Sequence, residues 1–178
     1  MILAAMILSQ CMCIEDSVGK TPCAGGRAES AAEAKAKREI QQRINLTVEA
    51  DKAKDLAAAT RFNTSDYRVK KLDGSIQTLE QARAGIQANY DHIQKVSDRT
   101  KIVIDCLTLS GDGATVFINQ HFVRTVLFDG DPTPHELVSN ITHREVWIRI
   151  GDGWMRKFIE ELERGPTFVD GTLHVPSR

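Results

Sequence analysis

Three side chains of one segment, Ile141 to Trp154 (ITHREVWIRIGDGW), have the types needed for proton transfer. Strand alternation puts His143, Glu145 and Trp147 on one face, and Thr142, Arg144, Val146 and Ile148 on the other. A second set lies upstream in Phe117, Asn119 and His121. A hairpin symmetric about Pro132 would set His121 opposite His143, Asn119 opposite Glu145 and Phe117 opposite Trp147. Acid–base work on a small apolar molecule needs a base near the proton removed and donors for the oxyanion that develops. His121, His143 or Glu145 could be that base, with Tyr90 or Asn119 as donor. The same residues could equally form a polar strip facing solvent or a second chain, and a one-residue slip would break the convergence. Two histidines and a carboxylate also match a metal-binding set in type, but nothing else in the sequence supports a metal.

Further candidates come from neighbouring segments. Tyr67 and Asp66 lie in a short strand-like stretch, and Tyr90 and His92 at the end of a helical one. Tyr90 falls on that helix's apolar stripe, whereas His92 falls off it and should face solvent. Asp105 alternates with Val103 and Leu107, as a pocket carboxylate or an edge charge. Trp154, Arg156, Phe158 and Glu160 should share one face of the last long strand, with Arg156 and Glu160 close enough to pair.

The elements that must position these groups are legible in outline. Glu29 to Thr60 is dense in helix formers, with Ile40, Ile44 and Val48 as its stripe, and fits one bent helix or two short ones. Tyr67 to Lys71 reads as a strand ended by Asp73-Gly74. Thr78 with Gln81 marks a capping box, and Leu79, Ala82, Ile86, Tyr90 and Ile93 form the stripe of the helix it starts. Four β segments follow, near residues 100–109, 114–128, 136–150 and 154–162, separated by Gly-Asp turns. Helices followed by a meander of long strands make an α+β layout.

Composition removes several classes of function. The 178 residues carry 23 basic and 24 acidic side chains, a net charge of -1, which leaves no footprint for nucleic acid or an anionic membrane. At 6% aromatic residues, stacking platforms for single strands are not expected either. No phosphate-binding, dinucleotide, zincin or nucleophile-elbow motif occurs, so no cofactor is expected. Met1 to Leu8 is uniformly apolar, too short to span a bilayer, and resembles the apolar part of a secretory leader. Export to the periplasm or medium is the expectation, a cytoplasmic location the alternative. Of the four cysteines, Cys11, Cys13 and Cys23 fall in the leader and linker, and Cys106 reads as a small core thiol.

Residues from about Lys35 to Gly165 resemble the NTF2-like (cystatin-like cone) superfamily, especially its SnoaL-like and DUF4440-type members. The helical start, the stretch YRVKKLDG and the closing THREVWIRIGDGWMRKFIEE carry the resemblance. It implies a leader at 1–28, a domain at 29–165 and a tail at 166–178. Within the domain it implies a strongly curved antiparallel sheet around N-terminal helices, enclosing a pocket. Tyr67, Tyr90, Asn119, Phe117 and Trp147 would then bind a small, mostly apolar molecule, with His121, His143 and Glu145 as the catalytic candidates. Relatives include isomerases, dehydratases and cyclases as well as pocketed domains with no known reaction, and homodimers are frequent. An acid–base enzyme and a non-catalytic dimerisation module are therefore the alternatives.

Overall fold

A computed structural model describes residues 28–174. The apolar leader, and the export expected from it, fall outside these residues. The first helix, α1 (Ala31–Lys52), starts at Ser30, whose hydroxyl accepts from the Glu33 backbone N–H while the Glu33 carboxylate accepts from the Ser30 N–H. Ala36, Ile40, Ile44 and Val48 recur every fourth residue and are all buried. Lys54, in the left-handed region at φ 54°, breaks the helix before a short second one, α2 (Leu56–Thr60). The third helix, α3 (Leu79–His92), begins at the capping box of Thr78 and Gln81. No helix among the described residues is long and apolar enough to cross a membrane.

The strands are β1 (Asn63–Lys70), β2 (Ile76–Thr78), β3 (Ile93–Val96), β4 (Lys101–Ser110), β5 (Gly113–Phe128), β6 (Asp131–Ile150), β7 (Gly153–Arg164), β8 (Thr167–Val169) and β9 (Thr172–His174). They form one curled, unclosed sheet in the order β2-β1-β7-β6-β5-β3, with β4 also on β5 and β8 on β6. The sheet is mixed, because β1 runs parallel to β7. The stretch after Gly165, read from the sequence as a tail, holds the β8–β9 hairpin, and Val169 pairs with Leu137.

The core lies where α1 crosses the concave face. Ala36, Ile40 and Ile44 pack on Ile104, Leu107, Ala114, Val116, Ile118, Trp147 and Trp154. Gln41 fastens the helix to the free edge of β4, donating to the Ile102 carbonyl at 2.8 Å and accepting from the Ile104 N–H at 3.0 Å. Gln41 thereby satisfies one acceptor and one donor of that edge. Cys106, read as a core thiol, is disulfide-bonded.

The hairpin of β5 and β6 differs from the expected one. It turns at Asp129-Gly130, with Gly130 at φ 79° and Phe128 opposite Asp131, and not around Pro132. An Asp-Gly pair accommodates the positive φ of a tight hairpin turn, so Pro132 and Pro134 are drawn into β6. With the bulge between Val126 and Phe128, the long arms settle with His121 opposite Asn140, Ile118 opposite His143, Val116 opposite Glu145 and Ala114 opposite Trp147. His121 thus lies three residues from its expected partner. An odd displacement exchanges the faces. His143, Glu145 and Trp147 point inward, and Phe117, Asn119 and His121 point outward.

Candidate functional site

The inward set of β6 is held by the last long strand. Glu145 and Trp147 are each 1% exposed. The Glu145 carboxylate accepts from Trp147 Nε1 at 2.7 Å and from Arg156 Nη1 at 3.1 Å. Arg156 in turn donates from Nε to Asn63 Oδ1 at 3.0 Å and lies 5.6 Å from the Tyr67 and Trp147 ring centres. Tyr67 is buried in this layer, and its phenol is pushed up to about 12, chiefly by desolvation. Arg156 was expected beside Glu160. Instead it turns inward, and Glu160 turns outward to Arg144 and Lys70. With both oxygens engaged, Glu145 is placed as the counter-ion of a buried cation.

His143 stands next to this pair, 6% exposed, with Nδ1 3.4 Å from Glu145 Oε1. Neither ring nitrogen has a hydrogen-bond partner among the described residues. Burial holds its pKa below the ordinary histidine value. Arg156 adds to that effect, while Glu145 and Glu161 oppose it. The ring is therefore neutral at neutral pH, and its approach to Glu145 is not an ion pair there.

Beyond His143, α1 ends and the concave face opens into a cavity of about 380 Å³ beneath α3. Ile86, Ile93, Phe122 and Ile141 supply its apolar wall, and Asp51, Lys71, Tyr90, Gln120, Arg124, Ser139, Glu161 and Arg164 its polar groups. This lining mixes apolar and polar side chains. Tyr90 donates its hydroxyl to Asp51 Oδ1 at 2.5 Å. Burial raises the Asp51 carboxyl, against the pull of the Tyr90 hydrogen bond and of Arg156. Burial and the Asp51 carboxylate both raise the Tyr90 phenol. A half-buried carboxyl with a raised pKa in a cavity wall can exchange a proton with a bound molecule.

Of the residues singled out from the sequence, Tyr90 lines the cavity, whereas His143, Glu145, Trp147 and Tyr67 are buried in the layer beneath it. Asn119, His121 and Phe117 are on the outer face. There Asn119 donates to Asp105 at 2.5 Å and accepts from Thr142 at 2.9 Å, and His121 Nδ1 lies 2.8 Å from Asn140 Oδ1. With His121 on the far side of the sheet, the two-histidine, one-carboxylate metal set does not converge. Asp51, Gln120, Arg124, Ser139, Glu161 and Arg164 are additions from the structure. Gln120, Phe122 and Arg124 alternate along the inner face of β5, a signal visible once the hairpin register is known.

No family model matches the chain, and no curated protein matches it. Solved structures do. A conserved protein from Planctomyces limnophilus DSM 3776 is similar with a TM-score of 0.59 at 13% identity, covering 71% of this chain and 94% of that one. An NTF2-like superfamily protein from Salmonella enterica serovar Typhimurium LT2 follows at a TM-score of 0.57 and 14% identity, covering 72% and 91%. A protein from Novosphingobium aromaticivorans DSM 12444, provisionally named a scytalone dehydratase, gives 0.59 at 12% identity, covering 81% and 91%. At such identities the likeness speaks for fold and not for activity. The chain has the NTF2-like fold, an α+β cone of helices on a curled, unclosed mixed sheet.

Proposed function

We propose that the chain binds a small molecule with an apolar body and polar substituents in the cavity beneath α3. The observation that carries this reading is the lining itself: four apolar side chains and a convergent set of polar ones around about 380 Å³, at the place where α1 stops covering the sheet. A volume at the low end of the ordinary range for ligand sites, roughly 300–1,000 Å³, suits a compact ligand. The test uses the fluorophore N-phenyl-1-naphthylamine. Saturable fluorescence enhancement is expected for the wild type and its loss for Ile141→Trp, which fills the cavity, with the far-ultraviolet circular dichroism unchanged. Equal enhancement in both proteins removes the reading.

A second reading is proton transfer on the bound molecule. The Asp51–Tyr90 hydrogen bond on the cavity wall favours it, and a structural neighbour carries a dehydratase name. In this reading Asp51 is the base and Tyr90 its partner. Glu145, which accepts from Arg156 and Trp147, takes no part in it. Its signature is deuterium uptake by a ketone probe.

A further inference from the structure

The charges around the cavity do not balance locally. Lys71 and Arg164 both meet Glu161, at 2.6 Å and 3.3 Å. Arg124 has no carboxylate partner among the described residues. Its one hydrogen bond runs from Nη1 to Ser139 Oγ at 3.1 Å, and its guanidinium lies 4.9 Å from the centre of the Phe122 ring. Arg144 and Arg156, on the same sheet, each have a carboxylate. Phe122 and Ser139 are directly opposite one another on β5 and β6, so the cationic group, its stacking ring and its hydroxyl acceptor form one unit facing the cavity.

Removing an arginine from water without a counter-charge is costly, and such a group is normally paired. Burial, with Arg164 nearby, holds the Arg124 guanidinium below its ordinary value, yet an arginine stays charged at any physiological pH. The guanidinium lies over the Phe122 ring, and its remaining N–H groups have no acceptor among the described residues. Ser139, 8% exposed, accepts from Arg124, and its own hydroxyl proton has no acceptor among the described residues. Two kinds of donor therefore converge with no acceptor between them. A planar anion is the group that a guanidinium fork and an adjacent hydroxyl recognise best.

We infer that the ligand of this cavity is an amphipathic carboxylate, its anionic end held by Arg124 and Ser139 and its apolar body lying against Phe122, Ile141, Ile86 and Ile93. The inference rests on the ligand-binding reading and adds the charge and orientation of the ligand. Asp51 and Tyr90 bond each other and make no hydrogen bond or ion pair to Arg124 or Ser139 among the described residues, so the carboxylate end and the acid–base pair are separate contacts of one molecule.

The probes are 2-naphthoate and 2-naphthalenemethanol, alike in their aromatic body and different in charge, titrated into the full chain by calorimetry. The wild type should bind the carboxylate about tenfold more tightly, the worth of one net charge-assisted contact. Arg124→Gln should bring the carboxylate down to the affinity of the alcohol. Arg124→Lys, which keeps the charge but not the fork, should retain part of the preference. Equal affinity of the wild type for both probes overturns the inference while leaving the cavity reading intact. A preference that survives Arg124→Gln also overturns it. Binding of neither probe overturns both readings.

Discussion

Replacing Glu145 with glutamine tests whether this residue, the most chemically suggestive in the sequence, holds the fold together. The carboxylate is 1% exposed and its partner Arg156 14%, so solvent screens the pair little. Glutamine has nearly the same shape but a single oxygen. Trp147 Nε1 and Arg156 Nη1 address different oxygens of the carboxylate, so with the partners held in place the amide group would face one of the two donors. The lost charge-assisted bond is worth about 1.5–3 kcal/mol, and stranding a buried cation raises the whole cost to about 3–5 kcal/mol. For a chain of this size that corresponds to a fall in Tm of roughly 6–20 °C. Urea denaturation followed by circular dichroism measures it directly. A matched pair sharpens the test, because replacing a whole buried ion pair by apolar groups is often neutral. Glu145→Gln combined with Arg156→Met should therefore be more stable than Glu145→Gln alone. A loss below about 1 kcal/mol for Glu145→Gln, or a double variant whose losses simply add, would refute the assignment of Glu145 as a structural counter-ion.

Two further outcomes follow from the interior of the cone. His143 is held below its ordinary value of 6.5 by burial, with Arg156 adding to this and Glu145 and Glu161 opposing it. The unfolded chain then takes up a proton that the folded chain refuses, so the contribution of His143 is complete above about pH 6.5 and is lost as pH falls through the folded pKa, with a slope of at most about 1.4 kcal/mol per unit. His143→Phe should flatten stability between about pH 6.5 and 5 relative to wild type, and identical profiles in denaturant titrations would sink this account. If Asp51 is a base, the wild type in D2O should accelerate deuterium uptake at the acidic carbon of 2-tetralone about a hundredfold over Asp51→Asn, with an intermediate rate for Tyr90→Phe. Equal rates by nuclear magnetic resonance remove the acid–base reading.

Much of the fold is legible because it is local. The stripe of Ile40, Ile44 and Val48, the capping box of Thr78 and Gln81 and the Gly-containing turns each declare themselves within a few residues. Ser30 with Glu33 is a capping box equally open to reading. The site is less legible because it depends on long-range register. His143 and Glu145 can be recognised as an inward pair only once Asp129-Gly130, and not Pro132, is known to close the hairpin. Arg124 and Ser139 are unremarkable in the sequence. They acquire meaning when β5 and β6 align Phe122 with Ser139 and the arginine has no carboxylate partner among the described residues.

The last long strand shows why alternation alone cannot place the interior polar groups. Strict alternation from Trp154 would send Arg156, Phe158 and Glu160 to one face. The pairing of β6 with β7 skips Lys157, between Arg156 opposite Trp147 and Phe158 opposite Val146, and skips Leu162, between Glu161 opposite His143 and Glu163 opposite Thr142. Each extra residue exchanges the faces beyond it and bends the strand. The first bulge turns Arg156 in toward Glu145 while sending Glu160 out to Lys70 and Arg144. The second lets Glu161 and Arg164, three residues apart, both line the cavity and meet each other at 3.3 Å. With Glu161 so occupied by Arg164 and Lys71, it is not left to neutralise Arg124. The bulges that bend this strand thus also determine which cation in the cavity has no counter-ion among the described residues.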